Sequence, residues 1–301
     1  MTETRSQQDL VNEELFDEHR SLLFTVSYEL LGSVADAEDV VQETYLRWSG
    51  RPADAEVANP RAYLAQIATR LSLNRLRALA RQREDYVGPW LPEPLLTAPD
   101  VAEDVVLAES VSLALMVILE SLGPKERAVF LLREVFGYEY AEVGEALGMS
   151  PAAARQTAHR AKQHVEARRP RFETDDQLIR QVYERFNRAL LGGDVQGLMD
   201  LLAPDVVVLS DGGGVVRSAR RPVQGADAAA RLLVGTLGKA APGLRVEPAM
   251  INGVPGWRAW EGDQLAGCLQ LVITDDKIAQ VLIVINPEKL GGLDAPRTIA
   301  R

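Results

Sequence analysis

The stretch from Leu122 to Arg171 constrains this chain more than any other, because its start, turn and stop signals fit only one local arrangement. Pro124 can open a helix, since the N–H it lacks has no partner in a first turn. Ala128, Val129, Leu131, Leu132 and Val135 then recur at helical spacing. A second short helix is expected from about Glu139 to Leu147, and Gly148 supplies a sharp turn. Ser150 then caps a third helix that begins at Pro151. Three helices in this order make a helix-turn-helix. Gly144 sits in the second helix, where a small residue allows close packing at a cost of about 1 kcal/mol in helix propensity.

The third of these helices is two-faced. Ala154, Ala158, Ala161 and Val165 form a narrow apolar stripe, while Arg155, Gln156, His159, Arg160 and Lys162 fall largely elsewhere. Such side chains suit a DNA major groove, where Arg forks to guanine and Gln to adenine. In isolation, a solvated basic face on a helical hairpin would read the same way.

Residues 10 to 83 read as helices throughout. The first runs from about Leu10 to Leu31 and is ended by Gly32; Ser33 caps a second that carries Ala37, Val40, Val41, Tyr45 and Trp48. A third starts at Pro60 or Arg61. The net charge of −10 would oppose nucleic-acid binding if it were spread evenly. It is not: Arg61, Arg70, Arg75, Arg77, Arg81 and Arg83 occur with no acid among them, and Arg155 to Arg171 is basic again. Between these patches, Glu84 to Glu109 holds only acidic charges together with prolines, which predicts an extended, self-repelling linker. No apolar run approaches a membrane span and MTETRSQQDL lacks a hydrophobic stretch, so a cytoplasmic protein without membrane contact is expected. The single cysteine, Cys268, excludes an internal disulfide and any Cys-based zinc site.

Beyond Pro170 the pattern changes. Asp175 to Leu191 and Val195 to Leu202 read as helices. Strand-like runs follow at Val206–Leu209, Val215–Ser218, Leu244–Ile251, Gly256–Trp260, Cys268–Thr274 and Ile278–Ile285, with a helix Ala226–Leu237 inserted. Helices followed by a curved antiparallel sheet predict an α+β cone. The chain thus divides into residues 1–84, a linker 85–108, 109–171, 172–290, and a tail 291–301 expected to be mobile.

The run DAEDVVQETYLRW (Asp36 to Trp48) followed by NPRAYLAQIATRLSLNRLRALARQRE (Asn59 to Glu84) resembles region 2 of an extracytoplasmic-function sigma factor, and Leu122 to Pro170 resembles region 4. The resemblance implies two all-α sigma domains, region 2 a helical bundle and region 4 the helix-turn-helix. It implies as partners core RNA polymerase, through its largest and second-largest catalytic subunits, and promoter DNA. Polymerase docking would fall to Asp39, Gln42, Glu43 and Leu46. Opening of the −10 element would fall to Asn59, Arg61, Tyr63, Arg70, Asn74, Arg75 and Arg77, since capture of a flipped base needs a pocket and cations. The −35 element would be read by Arg155, Gln156, His159 and Arg160.

The order of elements after residue 172 resembles the SnoaL-like branch of the nuclear-transport-factor-2 (NTF2) fold. Some SnoaL-like proteins are enzymes that bind an apolar small molecule in the mouth of the cone. Here all three histidines precede the domain and its only tyrosine is Tyr183, so Asp205, Asp211 and Trp260 form no readable acid–base pair. No catalytic residue, cofactor or metal is expected; a small-molecule ligand in the cone stays open. Trp90-Leu91-Pro92-Glu93-Pro94, Asp211-Gly212-Gly213-Gly214 and Asn286-Pro287-Glu288-Lys289-Leu290 are together similar to the SigJ-like group of sigma factors, in which such motifs mark the contact between the appended domain and the sigma core. That group usually has Lys after the glycines, where this chain has Val215. Two functions therefore stand: a monomeric sigma factor controlled in cis by its SnoaL-like domain, or a helix-turn-helix regulator fused to a small-molecule-binding or enzymatic cone. The region-2-like segment favours the first.

Overall fold

The computed structural model describes residues 7–52, 57–98, 105–168, 176–237 and 243–301. Gly32, at φ 67°, turns the chain between α1 (Gln7–Leu31) and α2 (Val34–Ser49). Ser33 caps α2 by accepting from the Asp36 N–H, and Asn59 does the same for α3 (Pro60–Glu84) through the Ala62 N–H. Two short helices, α4 (Val105–Val111) and α5 (Leu113–Leu119), lead into the helix-turn-helix. Its first helix, α6 (Pro124–Phe130), runs on as one π turn (Leu131–Val135). Then come α7 (Tyr140–Leu147) and α8 (Pro151–Glu166), joined at Gly148 and capped by Ser150 as the sequence predicts. Gly144 is more than a helix-propensity concession, because a Cβ there would lie 2.6 Å from the Met149 carbonyl oxygen.

A single apolar core runs through all eight helices. Leu23, Val26, Trp48 and Leu64 from the first three join Val111, Leu119, Val129 and Ala158 from the rest, each at or below 1% exposure. At roughly 1.5–3 kcal/mol for each such large side chain, this burial makes the two helical parts one folding unit.

The remainder is an α+β cone. Helices α9 (Asp176–Leu191), α10 (Val195–Met199) and α11 (Ala226–Leu237) pack on one face of a six-stranded sheet. Its strands are β1 (Leu202–Asp211), β2 (Val223–Gln224), β3 (Leu244–Ile251), β4 (Val254–Glu261), β5 (Gln264–Thr274) and β6 (Lys277–Val284), in the order β2-β1-β6-β5-β4-β3. The sheet is mixed and not wholly antiparallel, since β1 and β6 run parallel. Val215–Ser218 is not a strand: the Gly212 carbonyl takes the N–H groups of both Val215 and Val216, which folds the segment into a turn.

Two expectations about connecting segments are overturned. The linker does not repel itself into solvent. Leu91 and Leu95 are fully buried, and Leu96 and Thr97 pair with Ile251 and Arg297. Asp100, Glu103 and Asp104 lie outside the described residues, as does the expected boundary at 171–172. The tail is held too. Arg297 pairs with Glu38 at 2.5 Å, Ile299 is buried in the helical core, and the Ala300 N–H reaches the Thr25 hydroxyl. The linker, α5 and Leu290 and Leu293 together cover the outer face of the sheet, formed by Cys268, Val272, Leu282 and Val284.

Where α1 meets α4, Glu29 is 1% exposed and its Oε1 lies 2.8 Å from the Ser110 hydroxyl, which lies 2.8 Å from the Leu107 carbonyl oxygen. The Ser110 hydroxyl donates to Glu29 Oε1, with the Leu107 carbonyl as its other acceptor. Burial pushes the Glu29 carboxyl up to about 8. A carboxyl raised on folding costs nothing below its ordinary value near 4.5 and destabilises the fold progressively as pH climbs to about 8. Glu29→Gln keeps the bond to Ser110 without the titration. Between pH 5 and 8 the wild type should lose stability relative to this variant by about 1.4 kcal/mol per pH unit. Urea melts across that range check it, and parallel pH profiles would refute it.

Candidate functional site

The exposed face of α8 carries Arg155, Gln156, His159 and Arg160, all in solvent, while Ala154, Ala158, Ala161 and Val165 are at or below 1% exposure. Arg155 lies 5.2 Å from the Tyr140 ring centre, and Lys162 is paired with Glu134 at 2.8 Å. This spacing presents forked and amide donors in a row, unobstructed among the described residues.

The expected −10 residues are differently placed. Asn59 donates to Glu142 Oε1 at 3.1 Å, and Arg61 donates to the Phe136 carbonyl with its guanidinium 4.6 Å from the Tyr138 ring. Arg70 donates to the carbonyls of Ala146 and Glu145 at 2.9 and 2.7 Å. Those carbonyls end α7, where the helix leaves acceptors unpaired and its dipole is negative. Arg75 is paired with Asp36 and Asp39, and Arg77 bonds Asn74. Tyr63 is 36% exposed, its ring 6.1 Å from that of Trp48. Three of the seven residues on α3 and its cap thus grip the helix-turn-helix. Between the two lies a cleft of about 510 Å³, with Arg51, Asn59, Tyr63, Gln66, Tyr138 and Glu142 in its walls.

On α2, Asp39, Gln42, Glu43 and Leu46 share one exposed face, and Leu46 is 66% exposed. Asp39 meets Arg75 at 3.3 Å and Glu43 pairs with Arg47 at 2.7 Å.

The third group is an interdomain clamp centred on Asp211, which is fully buried. Its carboxylate accepts from the Tyr86 hydroxyl at 2.5 Å, the Leu91 N–H at 2.8 Å, the Gly213 N–H at 3.1 Å and the Lys289 ammonium at 2.8 Å. Burial pulls the Lys289 ammonium down, opposed by Asp211. Burial and the neighbouring Asp211 charge hold the Tyr86 phenol in its neutral form. Asn286 accepts from the Glu288 N–H and Pro287 opens a single 3-10 turn, which aims Lys289 at Asp211. Asn286 also donates to the Tyr86 hydroxyl. The glycines make room: a Cβ on Gly213 would strike the Asn286 amide, and one on Gly214 would lie 3.0 Å from Val87. Trp90 has Arg83 4.0 Å and Lys289 4.3 Å from its ring centre, and it lies against Gly32. Within the linker, Glu93 accepts from the Val34 N–H through its side chain and from the Tyr28 hydroxyl through its carbonyl. Burial raises the Glu93 carboxyl. Leu91, Pro92 and Pro94 are buried beside it.

Tyr86 and Asn252 were missed by the sequence reading, and Lys289 was read only as a member of the motif from Asn286 to Leu290. Asn252, at zero exposure and φ 50°, accepts from the Leu95 N–H and donates to Tyr28 and to the Val111 carbonyl. It therefore ties the cone to α1, the linker and α4. Asn-Gly at 252–253 is a readable hairpin signal, but nothing local reveals its three distant partners.

The cone's inner face is filled by its own aromatic side chains. Tyr183 and Phe186 lie 4.6 and 5.7 Å from Trp257, and the Tyr183 hydroxyl donates to the Pro255 carbonyl. Asp205, Asp211 and Trp260 do not converge: Asp205 is exposed, Asp211 serves the clamp, and Trp260 lies 5.5 and 5.3 Å from Arg245 and Arg258.

Comparison with known proteins bears on these surfaces. Residues 15–82 match the family sigma-70 region 2, and residues 112–165 match sigma-70, region 4. The chain is 38% identical over 294 residues to the ECF RNA polymerase sigma factor SigJ of Mycobacterium tuberculosis, covering 92% of each. It is 31% identical to that organism's probable ECF RNA polymerase sigma factor SigI, over 92% of this chain and 94% of the other. The crystal structure of M. tuberculosis SigJ superposes with a TM-score of 0.74 at 36% identity, over 93% of this chain and 98% of that one. Helical regions 2 and 4 in one core, a six-stranded α+β cone behind them, and a likeness that runs through all three place this chain in the extracytoplasmic-function sigma-70 family.

Proposed function

We propose that this sigma factor, which directs transcription initiation, is held closed in cis by its cone. In this reading α8 meets the −35 element through Arg155, Gln156, His159 and Arg160, and α3 with its cap serves the −10 element through Asn59, Arg61, Tyr63, Arg70, Asn74, Arg75 and Arg77. Asp39, Gln42, Glu43 and Leu46 dock on core polymerase, which puts the protein at work in the cytoplasm. The observation that carries the proposal is the double use of α3. Asn59, Arg61 and Arg70 are bonded to the helix-turn-helix, so the −10 surface is covered while the sigma regions stay packed. The clamp around Asp211 and Trp90, with the tail on α1, holds the cone on that packed form.

Asp211→Asn removes the charge that neutralises Lys289 and leaves a buried ammonium, a loss of about 3–5 kcal/mol for a broken buried pair. Transcription in vitro with core polymerase, from a promoter carrying both elements, should rise severalfold for this variant. A folded variant that transcribes less than wild type would instead make the clamp part of the active form.

Docking is tested at α2. Leu46→Glu should weaken core-polymerase binding by about tenfold, the loss expected for an exposed apolar anchor, with the melting temperature unchanged. Equal affinity would remove this face from the interface.

A further inference from the structure

The segment that returns from Asp211 to β2 is a third cationic stretch in this acidic chain, after those of α3 and α8. Gly212 to Gln224 contains Arg217, Arg220 and Arg221 and no acid. All three arginines are exposed, and none has an ion-pair partner among the described residues. By contrast Arg231 is held by Asp227, and Arg245 and Arg258 by Glu247. The turn at Gly212 also puts Val215 at 64% exposure and Val216 at 37%. With Val87, Gly214, Arg217, Ser218 and Arg220 these side chains line a groove of about 480 Å³ in which exposed valines and guanidinium groups lie side by side.

The position of this loop identifies its partner. Gly214 abuts Val87, and a Cβ on Gly88 would lie 3.8 Å from the Arg220 Cα, so the loop sits three to four residues beyond Glu84, where α3 ends. Arg77 lies seven residues before that end, or roughly 10 Å along the helix. The loop thus lies just beyond the C-terminal end of α3, past the exposed carboxylates of Glu84 and Asp85 and on the same helix end as the exposed Arg77. Guanidinium forks at 217, 220 and 221 beside the exposed Val215 and Val216 match a nucleic-acid strand, where phosphates alternate with sugars and bases. An acidic protein surface would match the charges but leaves the alignment with α3 without a role.

We propose that the loop from Gly214 to Arg221 is a nucleic-acid contact of the appended domain, gripping the promoter DNA backbone next to the segment held by α3. This rests on the sigma-factor reading. It gives the cone a direct part in promoter binding.

The test uses the full chain on core polymerase and a labelled promoter duplex selected from random sequence by the wild-type holoenzyme. Binding is measured from low to moderate salt for wild type and for the triple variant Arg217→Ala, Arg220→Ala, Arg221→Ala. Losing three phosphate contacts should make the slope of log K against log salt shallower by about 2 to 3 and weaken binding at least tenfold. Affinity for core polymerase and the melting temperature should not move, and the triple lysine variant should keep the wild-type slope. An unchanged slope overturns the proposal. So does an unchanged slope accompanied by weaker polymerase binding, which would make the partner an acidic protein surface. A wild-type chain that does not bind core polymerase at all would overturn the sigma-factor reading itself, and is told apart by that control.

Discussion

A carboxylate withdrawn completely from water persists only where donors and a counter-charge replace its hydration. Asp211 meets this condition with a phenol, two backbone N–H groups and an ammonium drawn from four stretches of chain. Most of what joins the cone to the helices depends on that convergence. The linker is pinned at Leu91, the turn of three glycines is fixed against Asn286 and Val87, and Lys289 is brought within reach of Trp90. From Trp90 the contacts pass to Arg83, then to Glu120 at 2.6 Å, and then to Arg127 at 2.8 Å. Charge on the cone is thus connected through alternating partners to the first helix of the helix-turn-helix.

The same geometry explains why the sheet's outer face needs no solvent-compatible surface. Cys268, Val272, Leu282 and Val284 face the linker and α5 instead of water, and the buried thiol is pushed up to about 12, which keeps it unreactive. The apolar content of the linker, masked in sequence by its acids and prolines, is what this face requires.

Local signals were legible wherever they act locally. Ser33, Asn59-Pro60, Gly148 and Ser150-Pro151 marked helix ends, and the inserted helix Ala226–Leu237 has the bounds its pattern predicts. What failed involved partners far away in the chain. Val215-Val216 looks like a strand because β-branching is a strand preference, yet a single carbonyl, that of Gly212, takes both N–H groups. Arg61 and Arg70 were readable as free cations because their partners are backbone carbonyls, which have no sequence signature. Asn252 is a hairpin residue by sequence and a four-way junction in space. The motifs around Trp90, Asp211 and Asn286, the last of which includes Lys289, were recognised as groups by resemblance, whereas Tyr86, which completes the clamp, was not.

The tail contacts carry a consequence for how the molecule comes into being. The Ala300 N–H meets Thr25 and Arg297 meets Glu38, across 275 and 259 residues of chain. At about 5–20 residues per second, a ribosome makes α1 roughly 10 to 60 s before it makes the segment that closes over it. Apart from Ile299, the helical core has its residues well before the last strands and the tail emerge, so each new molecule spends its first moments as an unclamped nascent chain.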